Sequence, residues 1–249
     1  MSNRFPTVGV IGAGQLARMM IAPATALGVN LLLFASDEND SAAQINRHVI
    51  GDYTNLAQVL DFAKKCDVVT FEHELVPLSV IKGLEAEGVK VYPPSSAFIY
   101  SQDKAAMREK LSSFPAPLSQ VISELSAVTE FPVIAKAISG GYDGRGVWKI
   151  KNQVELQEIL SHTSPLLIEE LVDFDVEISV MVARSPHGQA TSWAPVETVQ
   201  EDGICTLTIT PAQKISPEVA EQVQKIALEV AQTVGVVGVM AVEMFEARD

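Results

Sequence analysis

The chain has 249 residues, 47% of them hydrophobic and 20% charged, enough length for two ordinary domains and enough apolar residue to bury a core; an intrinsically disordered protein is excluded. The formal net charge of −13 excludes a general binder of nucleic-acid backbones, which are held by excess Lys and Arg. Small anionic ligands remain open, because a few local cations and backbone N–H groups suffice for a phosphate. Two distant cysteines, Cys66 and Cys205, point away from a disulfide framework and toward a reducing cytoplasm. The four histidines lack metal-ligand spacing. No leader with an apolar core and cleavage site opens the chain, and the apolar runs 31–35 and 234–242 are too short to span a bilayer, so neither secretion nor a membrane partner is expected.

In chain order, residues 7–12 (TVGVIG) form a short β-branched strand that runs into a glycine turn. Apolar residues at helical spacing (Leu16, Met19, Met20, Ala24, Leu27) predict a helix over 15–27, and a second strand follows at 31–34. Strand, glycine turn, helix and strand make a βαβ unit, the seed of a parallel sheet. The alternation continues with a helix at 55–65, a strand at 68–71, a helix at 78–87 and a strand at 89–92. Pro93-Pro94-Ser95-Ser96 then breaks it, and the first domain is expected to end at residue 95. Beyond lies a helix at 101–111. Strands are expected at 133–137, 146–150, 166–169, 177–183, 191–198 and 205–210, the last pair joined by the turn Glu201-Asp202-Gly203. A long amphipathic helix at 217–234 and a final strand at 238–245 complete the pattern. The fold class is therefore α/β, a Rossmann-like parallel-sheet domain over 1–95 followed by an α+β domain over 96–249.

Gly12-Ala13-Gly14-Gln15-Leu16-Ala17 fits G-x-G-x-x-G/A between a strand and a helix, with Asp37 about twenty residues on, the pattern of a dinucleotide site. Alone the motif is weak, since any tight strand-to-helix turn favours small residues. The second half bears more. Lys136 ends a strand, and Ser139-Gly140-Gly141-Tyr142-Asp143-Gly144-Arg145-Gly146 follows. Such a loop can wrap phosphate oxygens with its N–H groups while Lys136 adds a point charge. It is not a Walker A loop, because no Gly-Lys-Ser/Thr opens a helix. The strand ending Glu169-Glu170-Leu171 and the strand opening at Glu177 suit an adenine amine and ribose hydroxyls. Glu243 interrupts an apolar strand, where a carboxylate is costly unless paired or bound to a metal; Mg²⁺ bridging nucleotide phosphates is the expected partner.

The order of strand lysine, glycine loop, Glu-Glu-Leu-Val and strand-embedded Glu resembles the ATP-grasp superfamily. The strings Gly140-Gly141-Tyr142-Asp143-Gly144-Arg145-Gly146, Gly14-Gln15-Leu16-Ala17-Arg18-Met19 and Val69-Thr70-Phe71-Glu72-His73-Glu74 resemble its N5-carboxyaminoimidazole ribonucleotide synthetases. The resemblance covers the whole chain. It implies a biotin-carboxylase N-terminal-like first domain, an ATP-grasp domain with a lid over about 105–170, and ATP- and bicarbonate-dependent carboxylation of 5-aminoimidazole ribonucleotide through carboxyphosphate. By the same resemblance Lys136, Lys104, Gly141 and Gly144 hold ATP phosphates, and Glu169, Glu170, Leu171 and Glu177 hold adenine and ribose. Glu243 is a Mg²⁺ ligand, and Tyr142, Asp143 and Arg145 face the ribonucleotide with Gln15, Leu16 and Glu72. It also implies a cytoplasmic homodimer.

The chain departs from the family pattern at Ala137-Ile138-Ser139, where basic residues or threonine are usual. Lys104 and Arg108 stand where arginine and lysine are usual, and Gln200 where histidine is common. The family also continues past the strand glutamate into further Mg²⁺ ligands and a third domain, so this chain is expected to be an incomplete ATP-grasp domain with impaired turnover. Two alternatives stay open: an ATP-binding fragment without catalysis, and another ATP-grasp carboxylase or formyltransferase.

Overall fold

A computed structural model describes residues 4–141, 145–201 and 203–248. The chain divides into two compact units, Met1–Phe98 and Ile99–Asp249.

In the first unit, β1 (Thr7–Ile11) leads through Gly12 into α1 (Gln15–Ala26), followed by β2 (Asn30–Ala35), β3 (His48–Ile50), α2 (Leu56–Ala63), β4 (Val68–Phe71) and α3 (Leu78–Ala86). The four strands form one parallel sheet in the order β3-β2-β1-β4. Alternate residues of each strand face opposite ways. Val10, Leu33 and Ala35 therefore pack with Ala17 of α1, while Ile11, Leu32 and Phe34 pack with Val59 and Phe62 of α2 and with Ile81 and Leu84 of α3. Helices thus cover both faces, as a parallel sheet requires. β3 has no counterpart among the expected strands. The expected strand at 89–92 is reduced to one bridge, Val69 to Val91, because Pro93 has no N–H with which to extend the ladder.

The division between units falls inside α4 (Ser95–Gln102). The helix expected at 101–111 is two: α4 stops at Asp103, whose carboxylate accepts from Ala106 N at 2.8 Å and caps α5 (Lys104–Lys110). Then come β5 (Ser119–Ile122), a 3-10 turn Leu125–Ala127, β6 (Val133–Ala137), β7 (Val147–Ile150), α6 (Gln153–His162) and β8 (Leu166–Glu170). These strands form an antiparallel sheet, β5-β8-β6-β7. One face, with Val133, Ala135, Ile150, Leu166 and Ile168, is buried with Leu156 of α6.

The remaining elements are β9 (Phe174–Arg184), β10 (Ala190–Ser192), β11 (Val196–Glu201), β12 (Ile204–Ile209), α7 (Pro217–Val234) and β13 (Gly238–Ala247). They build a second antiparallel sheet, in which β13 pairs with β9 along its whole length. The strand expected at 191–198 breaks into two, because Pro195 cannot donate to a ladder. Ser216 caps α7, Pro217 opens it, and Gly235 (φ 70°) closes it in the left-handed conformation. Its buried stripe Val223, Ala227, Val230 and Val234 covers one face of the sheet, which presents Val176, Ile178, Val180 and Val182 from β9.

Candidate functional site

The strongest concentration of charge lies on the face of β6 and β8 turned away from α6. Lys136 is opposite Leu167 and Ile134 opposite Glu169, so Lys136 and Glu169 are diagonal neighbours on one face. Lys136 Nζ lies 2.6 Å from Glu169 Oε2, and Arg108 Nε of α5 donates to Glu169 Oε1 at 2.6 Å. Glu169 is buried, only 3% exposed. Burial works to raise its pKa, but the hydrogen bonds and charges of Arg108 and Lys136 prevail and hold the carboxyl below its ordinary value. Two cations share one anion, so the cluster keeps net positive charge. Sequence reasoning gave Arg108 no site role, although a spacing of four on α5 puts Lys104 and Arg108 on one helix face.

Lys136 is followed by the glycine loop. Gly140 and Gly146 adopt positive φ (76° and 73°), and a Cβ on Gly141 would meet the Arg145 carbonyl oxygen at 2.6 Å. That imagined Cβ would also stand 3.4 Å from Lys104 Nζ, and Lys104 N donates to Ile138 O at 2.9 Å. The start of α5 is thereby tied to the loop. Lys104 Nζ and the Arg145 carbonyl thus both lie beside Gly141. The expected residues Tyr142, Asp143 and Gly144 lie outside the described residues, as does Asp202 of the β11–β12 turn.

Glu170 is exposed; its Oε1 accepts from Leu118 N at 2.8 Å, and its own N–H donates to Leu118 O. Leu171 is 38% exposed just past the strand end. On the second sheet, Glu177 pairs with Phe245 and Ser179 with Glu243, which makes Glu177 and Glu243 diagonal neighbours on the face away from α7. Burial, and then the like charge of Glu243, push the Glu177 carboxyl up against the opposing hydrogen bond with Gln200. Glu243 is not the buried carboxylate that its apolar strand suggests. Residues of β13 alternate between half-buried and exposed, and Glu243 is exposed with Val239 and Phe245. The strand is apolar on both faces, yet only one is covered, so no desolvation cost demands a metal. The pair still suits a cation, which would relieve the repulsion between the two carboxylates. Among the described residues no group of three or more His, Cys, Asp or Glu could hold a metal, so ligand oxygens would have to complete the coordination.

A buried carboxylate that sequence reasoning missed is Glu197, 1% exposed on the covered face of β11. Its Oε1 accepts from Gln213 N and Lys214 N, both at 2.5 Å, while Oε2 lies 3.4 Å from Lys214 Nζ. It ties the segment before α7 to the sheet. Nothing in the sequence signals this, since the amides it binds come 16 and 17 residues later.

In the first unit, Glu72 follows β4. Its Oε2 accepts from Gly14 N at 2.7 Å and its Oε1 from Ala17 N at 3.1 Å, so the carboxylate sits on the amino end of α1. Gln15 and Leu16 occupy the first positions of that helix, and Leu16 is 56% exposed. Asp37 is exposed and accepts from Asn39 N at 2.7 Å and Asn39 Nδ2 at 2.8 Å. Both cysteines are free, and burial pushes the Cys66 thiol up to about 11, which leaves it a poor nucleophile. No helix among the described residues is long and apolar enough to cross a membrane.

Two family models match the chain. Residues 5–102 match the ribonucleotide synthetase preATP-grasp domain, and residues 94–249 match the ATP-grasp domain. The N5-carboxyaminoimidazole ribonucleotide synthase of Mycobacterium tuberculosis is 40% identical over 98% of this chain and 60% of its own length. The carboxyaminoimidazole ribonucleotide synthase of Aspergillus clavatus, solved with ATP, is 32% identical (TM-score 0.85, 97% of this chain and 66% of that one). A structure of the Aspergillus clavatus enzyme with ADP and 5-aminoimidazole ribonucleotide is 29% identical (TM-score 0.84, 99% of this chain and 69% of that one). The chain therefore spans about 60% of the length of the curated relatives it matches first. With a family match over more than half its residues, the chain belongs to the ATP-grasp family.

Proposed function

We propose that this chain binds ATP through its second unit and 5-aminoimidazole ribonucleotide through its first, and serves the bicarbonate-dependent carboxylation that yields N5-carboxyaminoimidazole ribonucleotide in purine biosynthesis. The observation that carries the reading is the Lys136–Glu169–Arg108 cluster, whose lysine stands on the strand that leads into the glycine loop. Phosphoryl transfer to bicarbonate, giving carboxyphosphate, needs positioning and charge neutralisation rather than a protein nucleophile, and this cluster supplies both. Glu169 would hold Lys136 in place, and phosphate oxygens would meet Lys136, Lys104 and the N–H groups around Gly141. Each Glu169 oxygen keeps a second lone pair for an adenine amine. Glu170, Leu171 and Glu177 would border adenine and ribose. Glu243 would hold Mg²⁺ together with nucleotide oxygens, and the ion would supply charge neutralisation at the phosphates. Gln15, Leu16 and Glu72 would take the ribonucleotide. In this reading the sheet β5-β8-β6-β7 is the lid, and the protein is a cytoplasmic homodimer.

Calorimetric titration with a non-hydrolysable ATP analogue and Mg²⁺ tests the reading. Saturable binding is expected, weakened about 30-fold or more by Lys136→Ala, the equivalent of about 2 kcal/mol for a charge-assisted phosphate contact. Equal affinity in the two proteins would rule the cluster out as the phosphate site. ATP turnover that depends on 5-aminoimidazole ribonucleotide would then separate a catalyst from an ATP-binding fragment.

A further inference from the structure

The first unit carries the two sequence marks of a dinucleotide site, G-x-G-x-x-A after β1 and an acidic residue after β2. In a dinucleotide-binding fold the turn leaves N–H groups at the helix amino end for a pyrophosphate, and the acid takes ribose hydroxyls. Here two of those N–H groups and one oxygen of the acid are engaged from within. Glu72 places one carboxylate oxygen on Gly14 N (2.7 Å) and the other on Ala17 N (3.1 Å). Asp37 spends its Oδ1 on the backbone and side chain of Asn39, two residues on.

The glycines match the same internal ligand. A Cβ on Gly12 would lie 2.5 Å from Glu72 Oε2 and 2.7 Å from Glu72 Cβ, and one on Gly14 would lie 2.8 Å from Glu72 Oε1. Gly14 itself has ordinary extended torsions (φ −83°, ψ −150°) that any residue adopts. Its lack of a side chain is therefore explained by the approach of Glu72, not by its backbone. We infer that Glu72 is a specificity-determining residue: an internal anion that occupies the phosphate place of the β1–α1 turn, excludes dinucleotides and free phosphates from it, and restricts any ligand there to groups that donate to a carboxylate. The inference stands independently of the proposed carboxylation.

The test uses the full chain carrying Lys136→Ala, so that anions at the glycine loop do not confuse it, and follows the amide resonances of Gly14 and Ala17 during titration with inorganic pyrophosphate. With Glu72 present these resonances should not move. In Glu72→Ala they should shift saturably, with affinity at least about tenfold above the Glu72 protein. Unmoved resonances in a folded Glu72→Ala chain, or pyrophosphate shifting them while Glu72 is present, would overturn the inference. A thermal double-mutant cycle gives a second reading. Gly14→Ala should lower Tm by about 3–6 °C when Glu72 is present and by less than about 1 °C in Glu72→Ala. Equal losses in both backgrounds would show that the glycine serves something other than Glu72. Should Glu72→Ala not fold, Glu72→Gln keeps the volume without the charge; the same amides are then expected to respond to pyrophosphate, and silence there also counts against the inference.

Discussion

Two glycine turns follow two strands in this molecule, and they differ in the sign of the charge beside them. After β1, the turn 12–14 is filled by the carboxylate of Glu72. After β6, Gly141 lies close to Lys104 Nζ, and on the same sheet one carboxylate, Glu169, is shared between Lys136 and Arg108. In the first turn Gly14 N and Ala17 N are taken by an internal anion; beside the second, the cluster of Lys136, Arg108 and Glu169 keeps net positive charge. Both look like phosphate cradles in sequence, since glycine content reports only how closely something approaches. What approaches is decided by residues distant in sequence, Glu72 at 58 positions from Gly14 and Arg108 at 61 from Glu169.

This contrast can be broken most severely at Glu169. Glu169→Ala leaves Lys136 and Arg108 facing each other without their shared anion. A loss of about 3–5 kcal/mol is expected, as for removing one member of a buried ion pair, visible as a Tm drop of about 10 °C or more. An unchanged melting curve would mean that the cluster is too hydrated to matter.

The acid limb of stability sharpens the same point. The Glu169 carboxyl is held below its ordinary value in the folded chain, so its contribution is fully present above the unfolded value near 4.5 and is lost as pH falls through the folded value. Urea midpoints followed from pH 6 down to pH 3 should therefore fall more steeply for the parent chain than for Glu169→Gln. Parallel curves would assign acid sensitivity to other carboxylates.

The smallest effect is expected at the second sheet. Glu243→Gln removes the like charge facing Glu177 and should raise stability in metal-free buffer by a few tenths of a kcal/mol. It should also abolish any Mg²⁺-dependent gain in ATP-analogue affinity. Retention of that gain would remove Glu243 from the proposed metal site.

Much of the architecture was legible in the sequence. Alternation of apolar strands and amphipathic helices through the first unit, and the Ser216-Pro217 start and Gly235 stop of α7, are local signals, and the folded chain follows them. The misses share a cause. Pro195 splits an apolar run into β10 and β11, Pro93 reduces a strand to a bridge, and the apolar strand β13 is covered on one face only, which leaves Glu243 exposed. Apolar composition records what a segment can bury, not how many partners arrive to bury it.

The sequence by itself determined the α/β order of the chain, the strand lysine just before its glycine loop and the family to which it belongs, because these rest on neighbours within a few residues. Only the tertiary structure decided that Glu72 fills the first turn, that Arg108 joins Lys136 on Glu169, and that Glu197 ties the segment before α7 to its sheet. A carboxylate's role depends on which N–H or cation lies within about 3 Å of it, and sheet register and helix packing bring those groups together from remote parts of the chain.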